Sequence, residues 1–174
     1  MSTDPGGTRV LFAFAGDAAA EWRAVNDGVM GGVSAGRFVI TANGTLLFSG
    51  TLSLANNGGF ASVRSNPRAL GLATGDVLLA RVRGDGREYS LNLYTDRPRT
   101  AFSYRAAIPT SKGEWVEVRV PLDRFVATSF GRVVADAGPV NPAEVNAIGF
   151  MLADKTAGPF EIEVEWISVA RAAP

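Results

Sequence analysis

The chain has 174 residues, 17 basic against 17 acidic, with 47% hydrophobic content; that fits one globular domain over residues 1–174 and offers no net field to attract nucleic acid. It contains neither Cys nor His, which excludes disulfides, thiolate metal sites and Cys nucleophiles, and removes the commonest general base and metal ligand. Met1 to Thr8 carries no signal-peptide pattern, and no apolar run approaches the roughly 20 residues of a membrane span, so a cytoplasmic protein with no transmembrane segment is expected.

Alternation with period two dominates the chain and predicts strands almost throughout. A first strand is predicted over Arg9–Phe14, followed by a helical turn over Asp17–Arg23. The run VNDGVMGGVS (Val25 to Ser34) then concentrates glycines and an Asn-Asp pair. Glycine costs roughly 0.5–1 kcal/mol in a helix or strand interior, so this segment is predicted as a shaped loop whose backbone approaches something closely. Arg37–Thr41 and Leu46–Leu54 follow as strands joined by Asn43-Gly44, a favoured turn pair. A second glycine run, NNGGFASVR (Asn56 to Arg64), leads into a strand at Phe60–Arg64. Val77–Arg83 and Glu88–Tyr94 flank Gly84-Asp85-Gly86 and are expected to pair as a hairpin.

Phe102–Ile108 and Trp115–Val120 are the next strands. Asn141 before Pro142 has the cap and first position of a helical turn. Ile148–Leu152 is apolar on both sides, as in a covered strand. In the last segment Phe160, Ile162, Val164 and Trp166 form an apolar face, with Glu161, Glu163 and Glu165 opposite. That acidic row is read as an edge device against unwanted pairing. About ten short strands with turn signals between them predict an all-β antiparallel sandwich. Both ends of the chain look like strands that pair, which favours a jelly roll.

Four motifs in order carry a resemblance: VNDGVMGGVS behind Trp22, FSGTLSLANNGGFASVRS (Phe48 to Ser65), RVRGDGREYSLNL (Arg81 to Leu93) and IGFMLADKTAGPFEIEVEWI (Ile148 to Ile167). Over about residues 22–167 the chain resembles the complex I intermediate-associated protein family. The resemblance implies a galactose-binding-like jelly roll. It also implies a role in assembling a respiratory complex, and it brings no catalytic residue set.

Candidate contact residues come from the loops and the polar strand faces. Asn26, Asp27, Gly28, Met30, Gly31 and Asn57 are candidates to present amides and a carboxylate to a ligand or partner; alternatively, Asn26 and Asp27 bind their own loop backbone, as such residues do in turns. Ser62 and Arg64 lie opposite Ala61 and Val63 and so face outward. Arg83, Ser90, Asn92 and Tyr94 are expected to share a face if the Asp85-Gly86 turn makes a hairpin, with Arg105 on a further strand. Guanidinium forks and aromatic faces together suit an anionic group or a sugar. The plain alternative is a solvated face laced with Arg–Glu pairs.

No paired nucleophile and base, phosphate loop, dinucleotide fingerprint or metal-ligand spacing is present, so no catalytic residue, cofactor or metal is assigned. The expected function is a non-catalytic binding or assembly domain that recognises a protein partner, a subunit of a respiratory or redox complex. The alternative is a carbohydrate-binding module with a sugar ligand.

Overall fold

The computed structural model describes residues 7–30, 32–96, 102–129 and 132–171, with the side chains of Val29, Met30 and Asn57 excepted. Its strands are β1 (Thr8–Ala13), β2 (Trp22–Asn26), β3 (Ala35–Ile40), β4 (Leu46–Leu52), β5 (Ala61–Ser65), β6 (Val77–Arg83), β7 (Glu88–Tyr94), β8 (Phe102–Pro109), β9 (Trp115–Pro121), β10 (Val126–Ser129), β11 (Arg132–Val133), β12 (Ala147–Leu152) and β13 (Gly158–Ala170). Helix is confined to short 3₁₀ turns, among them Gly16–Glu21 and Pro142–Glu144. In the latter, the Asn141 side chain accepts from the Ala143 amide, and proline opens the turn as its sequence requires.

The strands form two antiparallel sheets. One runs β3-β4-β13-β6-β9, with β1 also paired to β13, and the other runs β11-β10-β8-β7-β12-β5-β2. The first and last strands therefore pair, Thr8 opposite Ala170 and Ala13 opposite Trp166, which ties both ends of the chain into one layer. The fold is an antiparallel jelly-roll sandwich. Its core is drawn from both inner faces: Leu46, Phe48, Leu78, Val82, Ile162 and Val164 from one sheet, and Val63, Leu91, Leu93, Tyr104, Ile148 and Phe150 from the other. Burying each of these large side chains contributes about 1.5–3 kcal/mol, and this is what makes the period-two pattern decisive.

Three local expectations need correction. The alternation of β13 holds through Phe160, Ile162 and Val164, but the register with β6 shifts between Val164 and Trp166. Such an irregularity reverses the face that follows. Ile167 and Val169 therefore take the core positions, and Trp166 is only partly buried. Secondly, β13 lies inside its sheet, between β4 and β6. Its acidic row is thus not an edge device: Glu163 pairs with Arg83 at 2.6 Å and Glu165 with Arg81 at 2.6 Å. Thirdly, β6 and β7 belong to opposite sheets, so Gly84-Asp85-Gly86 is a crossing between layers, not a hairpin. Asp85 fixes that crossing by accepting from the Tyr89 hydroxyl at 3.1 Å and from the Glu161 amide at 2.8 Å.

Candidate functional site

The two glycine runs meet around one carboxylate. Asp27 is 0% exposed. Its Oδ1 accepts from the Ser34 amide at 2.9 Å, and its Oδ2 accepts from the Ser34 hydroxyl at 2.6 Å, the Gly59 amide at 2.7 Å and the Phe60 amide at 3.3 Å. Burial alone would raise the carboxyl, but the Ser34 hydroxyl and the Gly59, Ser34 and Phe60 amides outweigh it and hold it below its ordinary 3.8. The glycines follow from this packing. A Cβ at Gly32 would stand 2.5 Å from Asp27 Cγ, and one at Gly58 would stand 2.5 Å from Asp27 Oδ2. The close approach signalled by the glycines is therefore an approach to the chain's own carboxylate.

Asn26 likewise turns inward, its Nδ2 donating to the Gly36 carbonyl at 3.0 Å. Gly28 is exposed with open space where a Cβ would sit, and nothing in the structure requires glycine there. Gly31 and the side chains of Met30 and Asn57 lie outside the described residues. Asp27 has no oxygen aimed at solvent, so among the loop candidates it acts as the fastener of the rim.

The outer face of the seven-stranded sheet is different in character. Pairing registers place Arg23 beside Arg64, Arg64 beside Gly149, Gly149 beside Asn92 and Asn92 beside Arg105, a single row across five strands. Arg64 on β5 reaches over β12, where Ala147 and Gly149 leave room, and its Cζ sits 4.3 Å from the centre of the Tyr94 ring on β7. From the other side, Arg105 on β8 reaches over β7, and its Nη2 lies 3.2 Å from Met151 Sδ on β12. The two guanidiniums thus converge above the same pair of strands.

Beneath them Asn92, 0% exposed, donates to the Tyr94 hydroxyl at 3.4 Å and accepts from the Ser90 hydroxyl at 2.7 Å. Arg64 Nη2 donates to Ser62 Oγ at 3.2 Å, and Ser62 in turn donates to the Val25 carbonyl at 2.6 Å. Gly149 is required by close strand contact, since a Cβ there would lie 2.4 Å from the Val63 carbonyl oxygen.

Charge immediately around Arg64 and Arg105 is one-sided. Among the described residues, no carboxylate forms an ion pair with Arg64 or Arg105. The Nε of each is buried without a hydrogen-bond partner. Burial holds both guanidiniums below their ordinary value; Tyr94 opposes this in each case, and neighbouring Arg23 adds to it for Arg64. Burial conversely raises the Tyr94 phenol, which Arg64, Asn92, Arg105 and Arg23 partly offset. Asp96, two positions beyond Tyr94, accepts from Asn146 Nδ2 at 2.7 Å.

Ser62, Arg64, Tyr94 and Arg105 are therefore brought together, and Arg83 is not. Arg83 lies on β6 in the opposite sheet, paired with Glu163 and stacked on Trp115 at 4.9 Å. That sheet is the Arg–Glu-laced face expected as the plain alternative. Arg23, Gly149 and Met151 belong to the converging cluster but had no local signal, because their neighbours come from strands distant in sequence.

The model of the Complex I intermediate-associated protein 30 (CIA30) family matches residues 12–164. Among curated proteins, "Complex I intermediate-associated protein 30, mitochondrial" from Mus musculus is 37% identical over 100 residues, covering 54% of this chain and 30% of the relative. The protein of that name from Drosophila melanogaster is 28% identical over 188 residues, covering 95% of this chain and 64% of the relative. The chain thus spans less than two thirds of the length of these relatives.

Among solved structures, the family 11 carbohydrate-binding module of the cellulosomal cellulase Lic26A-Cel5E of Clostridium thermocellum superposes with TM-score 0.68 at 15% identity, covering 95% of each chain. An agarase, AgWH50C, superposes with TM-score 0.64 at 10% identity, over 95% of this chain and 25% of that one. These likenesses establish the galactose-binding-like fold. The expected cytoplasmic location is corrected by the relatives, which are mitochondrial by name. The lack of a signal-peptide pattern and of a membrane span does not specify a compartment, so it was the wrong ground for that expectation. Among the described residues no helix is long and apolar enough to cross a membrane.

Proposed function

The chain belongs to the complex I intermediate-associated protein 30 family, and from that premise we propose that it is a non-catalytic binding domain that helps assemble a respiratory complex. In this reading a partner protein is recognised on the outer face of the seven-stranded sheet, a choice supported by the gathering of Arg64, Arg105 and Tyr94 there. The observation that carries this reading is the family match across residues 12–164, which includes every strand contributing to that cluster. Binding of this kind needs no covalent step. Asp27 is fastened inside the rim, and Arg64 and Arg83 lie on opposite layers. Affinity purification with the full chain as bait tests the proposal. Respiratory-complex subunits or assembly intermediates should be recovered; a deletion strain with unaltered respiratory complexes, together with no such recovery, removes it.

A carbohydrate-binding role is the second reading, favoured by the superposition on a carbohydrate-binding module and by the presence of an aromatic ring, an amide and guanidiniums on one sheet face. A neutral sugar needs acceptors as well as donors for its hydroxyls. On this face the guanidiniums only donate, while the Asn92 carbonyl oxygen and the Tyr94 hydroxyl already accept from Ser90 and Asn92. Thermal shift with mixed-linkage glucan oligosaccharides separates the two: a raised melt supports the sugar reading, and an unchanged melt supports the protein partner.

A further inference from the structure

Among the described residues, Arg64 and Arg105 lack the carboxylate partner that other part-buried arginines have. Elsewhere, buried or half-buried cations are matched: Arg87 is bidentate to Asp154 at 2.7 and 2.9 Å and also donates to the Thr156, Gly158 and Pro159 carbonyls. Arg83 and Arg81 have Glu163 and Glu165. Asp76, itself buried, meets Arg171 at 3.3 Å. Arg64 and Arg105 instead reach over the two intervening strands from opposite sides, to Tyr94 and Met151, each with an unsatisfied Nε, and Arg23 stands next to Arg64 in register. An arginine stays protonated at neutral pH even when partly desolvated. The arrangement therefore concentrates positive charge where water is partly excluded, which is unfavourable for the free fold and favourable for an incoming anion.

We propose that the outer face of the seven-stranded sheet is an acid-reading groove in which carboxylates of an acidic, extended polypeptide segment lie between Arg64 and Arg105 above Asn92 and Tyr94. This rests on the partner-protein reading above and names the chemistry of what the partner presents. A side-chain carboxylate has paired acceptor oxygens that match a guanidinium fork, and two forks facing inward can share or bracket one carboxylate. Arginine clusters are a recurring means of reading acidic motifs. The row extends the match beyond one residue, because Arg23 continues it by one strand at about 4.8 Å per step. The Tyr94 ring, already beneath Arg64, fixes the guanidinium plane by stacking and holds it ready. Gly149 supplies the floor: any side chain there would strike β5.

Fluorescence anisotropy of a labelled oligoglutamate peptide with the full chain tests this directly. The expected result is saturable binding that weakens at high salt and drops at least about tenfold in Arg64→Gln and in Arg105→Gln. Arg119→Gln, a change at an exposed arginine on the opposite sheet, should leave affinity unchanged. Melting curves of both groove variants should match or exceed the parent, since each removes a partly desolvated cation that has no carboxylate partner among the described residues. Three outcomes overturn the proposal: no binding of oligoglutamate, binding indifferent to both groove variants, or tighter binding of inorganic phosphate or polygalacturonate than of the peptide. Undiminished recovery of respiratory-complex subunits by the Arg64→Gln/Arg105→Gln chain would overturn the groove while leaving the assembly role standing.

Discussion

Replacing Asp27 with Ala removes the acceptor that joins the two glycine loops. In the parent its carboxylate serves the Gly59 amide at 2.7 Å and the Ser34 amide at 2.9 Å, in a site with no access to water. The Ser34 hydroxyl can fall back on the Ser53 carbonyl at 3.1 Å, so the loss concentrates on the two amides. Leaving a buried donor unsatisfied costs about 1–3 kcal/mol, which gives about 4 kcal/mol for the substitution. In a domain of this size each kcal/mol shifts the melt by about 2–4 °C, so a fall of about 8–16 °C is expected.

Acid provides a second readout. The folded carboxyl is held below 3.8, its unfolded reference; its contribution is therefore complete above that value and lost as pH falls through the lower folded value. The stability gap between parent and Asp27→Ala should narrow as pH falls through the depressed folded value, below 3.8. Gly58→Ala should destabilise by the complementary route, because its Cβ meets Asp27 Oδ2 at 2.5 Å, and its cost should shrink when Asp27 is Ala. Urea unfolding of the four chains in that cycle decides it. Parent-like stability of Asp27→Ala, or strict additivity with Gly58→Ala, would refute the interlocked-loop account.

Phe150→Ala should cost about 3–5 kcal/mol in denaturant unfolding, whereas Trp166→Ala should cost clearly less, because the β13 irregularity turns Trp166 out of the core; equal losses would contradict the register. Gly149→Ala should weaken β5–β12 pairing through the 2.4 Å contact with the Val63 carbonyl, seen as faster amide exchange at Ser62 and Arg64; unchanged exchange would contradict it. Arg87→Ala should destabilise by about 3 kcal/mol at neutral pH, since it strands a largely buried Asp154. Arg87 holds the Asp154 carboxyl below its ordinary range against burial, so that loss should diminish as pH falls through the depressed value; a pH-independent loss would exclude the pair as its source.

The sandwich was legible because its strands announce their faces locally. Tyr89, Leu91 and Leu93 go in while Ser90, Asn92 and Tyr94 go out, as the alternation requires. What stayed hidden is what depends on pairing between distant segments. A Gly-Asp-Gly turn states that the chain reverses, but not whether the next strand joins the same layer, and this is why Arg83 was grouped with Tyr94. An alternating run does not reveal a register shift, so Trp166 was placed inward. A row of glutamates looks the same on an edge as in a strand flanked by arginines. Glycines report close approach but not what is approached, and in VNDGVMGGVS and NNGGF the neighbour is Asp27. Arg64, Ser62, Tyr94 and Arg105 were nameable from their own strands. Their convergence, and the parts played by Arg23, Gly149 and Met151, follow only from the order β8-β7-β12-β5-β2.

Amide chemical-shift mapping of the labelled chain, titrated with the respiratory-complex partner recovered by affinity purification, measures most directly which surface recognises it. Shifts should centre on Arg23, Ser62, Arg64, Asn92, Tyr94 and Arg105. Shifts confined to Arg81, Arg83 and Trp115 on the opposite sheet would contradict the account.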